Sequence, residues 1–166
     1  MRSHLWQMLA TPVAFAQQPP PGVSVEVTSI SASVLGPQPR ERGVELDPRL
    51  APISKSLKSL FAYDCYTFLG TERVVVELRK PRVFRLPEHF SIEITPDRPS
   101  RESGDMIGMQ VTLFREEPKR EGRRGSQPER EVVLRTEIRL KSGGTVLLGG
   151  PPIRDGVLVL ALSAKG

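Results

Sequence analysis

From residue 23 onward, apolar side chains recur at every second position, and that period decides what the chain can build. Val23, Val25 and Val27 alternate with Ser24 and Glu26; Phe90, Ile92 and Ile94 alternate with Ser91 and Glu93; Met109, Val111 and Leu113 repeat the pattern. Val132, Leu134, Thr136, Ile138 and Leu140 line one face of a longer stretch, with Arg135, Glu137 and Arg139 on the other. Period two is the signature of a strand with one buried face. Helical spacing occurs once, at Leu50, Ile53, Leu57, Leu60 and Phe61. It follows Asp47-Pro48, a favoured N-cap and a favoured first-turn residue. With so few helices between strands, short hairpins and antiparallel pairing are expected. The expected class is therefore β-rich α+β: a mostly antiparallel sheet or sandwich of about seven strands with one amphipathic helix packed on it.

Within that frame, finer readings follow. The apolar phase shifts from Val27 to Ile30, Ala32 and Val34, which predicts a bulge near Thr28-Ser29. Tyr63, Cys65, Thr67 and Leu69 share one side of a strand, with Tyr66 and Phe68 opposite, and Gly70-Thr71-Glu72 reads as a hairpin turn into Arg73–Leu78. Ser142-Gly143-Gly144 and Asp155-Gly156 read as turns, and Gly149-Gly150-Pro151-Pro152 as a strand break. Val157–Leu162 is apolar on both faces, as a central strand would be.

The N-terminus carries the order of an export signal. Arg2 precedes a short apolar stretch, and Ala14-Phe15-Ala16 fits the small-x-small pattern of a cleavage site. Residues 1–16 are expected to be a signal peptide, 17–22 a Pro-rich linker and 23–166 a single β-rich domain. The expected compartment is periplasmic or extracellular, with the cytoplasm as the alternative.

Composition narrows the function classes. No apolar run reaches the roughly 18–20 residues of a membrane span. One cysteine, Cys65, excludes an internal disulfide and any multi-cysteine metal site. The formal net charge of +5 would suit a nucleic-acid partner. However, the basic residues between 115 and 130 alternate with Glu116, Glu117, Glu121 and Glu129, so no cationic stripe forms in sequence. The stretch 116–129 reads as a long, mobile charged loop, and its Lys119, Arg120, Arg123 and Arg124 are the candidate partner-binding residues.

No catalytic constellation emerges. His89 reads as an exposed loop residue rather than a general base, and Cys65 as a small buried residue in mid-strand rather than a nucleophile. Asp64, Glu72 and Glu77 would make paired carboxylates only if a hairpin brought them together. Gly-x-Ser-x-Gly, Gly-x-Gly-x-x-Gly and Walker-type loops are absent, and no cofactor or metal is expected. The function expected is an exported, non-enzymatic binding or interaction module of the cell envelope or exterior, with a protein or envelope component as partner. Recognition would fall to the 116–129 loop or to a sheet edge. The alternative is an intracellular, basic nucleic-acid-binding protein.

Overall fold

The computed structural model describes residues 21–34, 43–97, 105–117 and 129–166. Nine strands lie among them: β1 (Gly22–Ser33), β2 (Glu45–Leu46), β3 (Cys65–Glu77), β4 (Arg82–Arg85), β5 (Phe90–Pro96), β6 (Met106–Glu116), β7 (Arg130–Lys141), β8 (Thr145–Ile153) and β9 (Gly156–Lys165). A 3₁₀ turn over Pro48–Ile53 leads into one short helix, α1 (Ser54–Leu60). The strands form a five-stranded sheet ordered β2-β3-β1-β9-β8 and a four-stranded sheet ordered β4-β5-β6-β7. Only the two-residue β2 pairs in parallel. The β-rich α+β architecture read from the sequence is the one observed. The short β2 and β4 take the strand count above seven. The expected export signal over 1–16, most of the expected linker over 17–22 and the centre of the 116–129 loop lie outside the described residues.

β1 explains the layering. Its odd-numbered Val23, Val25 and Val27 belong to the core shared by the two sheets, while its even-numbered Ile30 and Ala32 belong to a second core under the helix. The register does shift between Ser29 and Ile30, as expected, but the extra residue is Leu69 on β3: Ser29 faces Gly70 and Ile30 faces Phe68. Against β9, β1 pairs without interruption from Ser24 to Ala32. The apolar phase shift in β1 therefore marks a change in which face is covered.

That pairing corrects the Gly70-Thr71-Glu72 turn. β3 runs through these residues, because both of its halves pair with the same partner, β1. Cys65 is also displaced from mid-strand: it opens β3 opposite Ser33 and is only half-buried. Gly149–Pro152 does not break β8 but bulges within it. Gly149 faces Val159 and Pro152 faces Val157, leaving Gly150 and Pro151 opposite Leu158. The prolines are tolerated because β8 has no strand on its outer side. β9 is the doubly covered strand expected: Leu158, Leu160 and Leu162 face the inter-sheet core and Val159 and Ala161 the helix.

The helical segment is capped as its sequence suggests. Asp47 Oδ1 accepts from the Arg49 amide at 3.0 Å, and the Arg49 guanidinium reaches Oδ2 at 2.8 Å. This hydrogen bonding holds the Asp47 carboxyl down at about 2. Leu50 and Leu57 are fully buried, whereas Leu60, expected in the same stripe, is 65% exposed. The helix ends there, and extended Phe61 joins the covered cluster in its place. Tyr66 Oη donates toward the carbonyls of Leu57 and Phe61, each at 3.2 Å; the Leu57 carbonyl also accepts from the Phe61 amide at 3.1 Å, so the hydroxyl ties the helix end and the residue that follows it to β3. Burial raises the Tyr66 hydroxyl above its usual range.

Candidate functional site

The four-stranded sheet has one face on the core and one outside. Its outer face, at the end where β5 leaves the sheet, forms a groove of about 790 Å³. Thr95 from β5, Gln110 from β6 and Glu137 and Arg139 from β7 share its floor, and Arg79 and Asp97 stand at its end. Strand register makes the floor, with Thr95 opposite Gln110 and Gln110 opposite Glu137. Arg79, in the left-handed region at φ 62°, is positioned by its amide bond to the Pro96 carbonyl at 2.8 Å. Its Nε lies 3.7 Å from Asp97 Oδ1, and Arg139 Nη2 lies 3.3 Å from Glu137 Oε1. Such a lining can bind polar or charged groups by hydrogen bonds of both senses.

The same strand, β7, ends the sheet. Natural sheets usually shorten, bend or block their edges. β4 is four residues long, and β8 carries Pro151 and Pro152. Two longer stretches stay open among the described residues: β7, and the outer side of β3 beyond its two-residue pairing with β2. They differ in charge. On β3, Arg73 pairs with Glu26 at 2.6 Å and Glu77 with Lys80 at 2.8 Å, which leaves exposed Glu72, an anion, with no ion pair or side-chain hydrogen bond among the described residues. On β7, Arg135 is exposed and has no ion pair or side-chain hydrogen bond among the described residues. β7 is bulged at Val133, since Leu113 faces Leu134 and Phe114 faces Val132. The regular stretch therefore runs from Leu134 to Lys141, with no proline and no charge turned into the core.

Lys119, Arg120, Arg123 and Arg124 lie outside the described residues. The shoulders of their loop are narrower than 116–129: Glu116 pairs with Arg130 inside the ladder, and the Glu117 amide donates to the Glu129 carbonyl at 3.1 Å. Cys65 and His89 are not brought together. Cys65 Sγ has Thr67 Oγ1 at 3.9 Å, while His89 sits in the β4–β5 hairpin, its carbonyl accepting from the Glu116 amide at 2.7 Å. Glu72 and Glu77 fall on opposite faces of β3, because the hairpin that would have apposed them does not exist. Among the described residues, no three His, Cys, Asp or Glu side chains gather as metal ligands would. No helix there is long and apolar enough to cross a membrane.

The sequence reading missed the groove, whose residues come from four separate segments. It also missed Glu88, whose carboxylate oxygens accept from the Arg154 amide at 2.8 and 3.0 Å and tie the β4–β5 turn to the β8–β9 turn. Glu88 and His89 hold φ values of 57° and 64°, the left-handed pair of a tight hairpin, without the Asn-Gly that usually signals it. Compared with known protein families, curated proteins and solved structures, the chain matches none.

Proposed function

We propose that this chain is a non-enzymatic interaction module of the cell envelope or exterior, and that it binds an extended polypeptide along the outer edge of β7. The observation that carries the reading is the open, regular stretch Leu134–Lys141 at the end of the four-stranded sheet. An unpaired edge offers alternating N–H and C=O groups, so backbone bonds supply affinity and neighbouring side chains supply selectivity. Here those side chains are Arg135, Glu137 and Arg139, the last two continuous with the groove. The envelope assignment rests on the order of Arg2, apolar stretch and Ala14-Phe15-Ala16 in the sequence.

Amide hydrogen exchange on the dilute, full-length protein tests the edge. Every second amide from Leu134 to Lys141 points away from β6 and is expected to exchange rapidly. Slow exchange at all of them in a monomer would refute strand addition at β7. N-terminal mass spectrometry after cell fractionation tests export separately, with a chain beginning at Gln17 in periplasm or medium as the expected result.

A further inference from the structure

We infer that the polypeptide paired on β7 is a second copy of this chain, joined antiparallel about a twofold axis at Thr136; this rests on the strand-addition reading above. In a two-fold antiparallel pair whose faces continue across the junction, one residue lies opposite its own copy and the rest pair symmetrically around it. The charges on Leu134–Lys141 discriminate sharply among the available centres. An axis at Arg135 or Arg139 sets two arginines face to face, and one at Glu137 apposes two glutamates as well as Arg135 with Arg139. An axis at Ile138 matches Glu137 with Arg139 but sets Arg135 against Lys141, and one at Leu140 sets Arg139 against Lys141. An axis at Leu134 matches no opposite charges within the regular stretch.

Only the Thr136 axis matches opposite charges without apposing like ones in the regular stretch. It puts each Arg135 opposite the Glu137 of the other copy, twice over. Arg135, which has no partner within the described residues, gains one there. Glu137 is 61% exposed at its side chain and holds Arg139 at only 3.3 Å, so it is free to accept a second guanidinium. On the core-side face, Leu134 meets Ile138 of the other copy, extending the inter-sheet cluster to which both belong. Two four-stranded sheets would thus join end to end into one of eight strands.

Sedimentation velocity on the full chain, up to millimolar concentration, tests this with R135E, E137R and the double variant R135E/E137R. Both positions are exposed, so folding should be unaffected. The unaltered chain is expected to dimerise. R135E sets glutamate against glutamate twice and E137R arginine against arginine twice, and each should weaken the dimer roughly tenfold or more. The double variant should regain the dimer. A mixture of the two single variants should form a heterodimer, since each glutamate then meets an arginine at both contacts. A dimer indifferent to these exchanges, as one built on β3 would be, overturns the inference, and so does a monomer at every concentration. In a monomer, rapidly exchanging β7 amides would leave strand addition standing with another partner, whereas protected ones would end both readings.

Discussion

Replacing Gly156 with alanine should be among the most damaging small substitutions in this protein, and the geometry sets the scale. Gly156 opens β9 at φ 146°, a conformation that L side chains rarely adopt. A Cβ there would lie 2.3 Å from the Ala32 carbonyl oxygen and 3.1 Å from Ser33 Cβ. An ordinary carbon–oxygen contact is about 3.3 Å or more, so the strand start must retreat by about 1 Å. The obstacle is backbone and cannot rotate aside. Retreat opens the pairing of Ala32 with Val157 and strains the bond from Ser31 Oγ to the Asp155 carbonyl. Backbone strain costs about 1–2 kcal/mol. Each ladder hydrogen bond lost adds about 0.5–1.5 kcal/mol. The expected destabilisation is about 3–4 kcal/mol, or a Tm lower by about 6–15 °C in a chain of this size. Urea unfolding followed by far-ultraviolet circular dichroism would measure it. Two alanine controls calibrate the result. Gly143 has φ 81° but nothing within 4 Å of a built Cβ, so only strain of about 1–2 kcal/mol is expected. Gly70 has open space around it, and its substitution should be neutral or stabilising by up to about 1 kcal/mol. A Gly156→Ala protein within about 1 kcal/mol of the parent would refute the reasoning, because strain and clash could not then both be present.

Three further outcomes are expected. Tyr66→Phe removes the hydroxyl bonded to Leu57 and Phe61 and should cost about 1 kcal/mol by urea midpoint. Because burial raises the Tyr66 pKa above its usual 10.0, the folded state holds that proton more tightly; stability is full below pH 10 and falls as pH climbs beyond it, a decline the phenylalanine variant should lessen. Asp47 has the opposite sign: its depressed carboxyl adds stability above its usual 3.8 that is lost as pH falls toward about 2, so Asp47→Ala should flatten acid unfolding in that window. Glu88→Ala should cost about 1 kcal/mol by unbinding the Arg154 amide, while Glu88→Gln, which keeps one acceptor oxygen, should cost less.

The strands around Ile92, Val111 and Ile138 were legible because alternation reports one buried face, and β9 because Val157–Leu162 is apolar on both faces; each is a local property that the sheet then imposes. β1 shows where that logic stops. Its shift from Val27 to Ile30 is visible in sequence, but alternation cannot distinguish an inserted residue from a strand whose covering changes sides. Gly70 misled for a related reason: glycine marks bulges as well as turns, and only the shared partner β1 decides between them. Leu60 was misplaced because helical spacing does not show where the helix stops: α1 ends at Leu60, and the chain turns extended at Phe61, which takes the covered position while Leu60 faces solvent. For the candidate site, the outward charges of β7 were readable, yet its edge position was not, since alternation encodes faces rather than flanks. The groove and the Glu88 contact depend on segments far apart in the chain, and no local pattern announces them.

The change of covered face along β1 has a consequence for how the molecule comes apart. With β9, β1 is the common wall of two unequal compartments: the described residues bury eighteen side chains in the inter-sheet cluster and seven beneath the helix. Hydrophobic stabilisation grows with the area removed from water, so the smaller compartment yields first. When the helical segment lifts, Ile30, Ala32, Val159 and Ala161 are wetted on one side, while their strand neighbours remain clamped by the opposite sheet. β1 and β9 thus outlast the cover they carry, and the partly open form keeps the four-stranded sheet and its β7 edge intact.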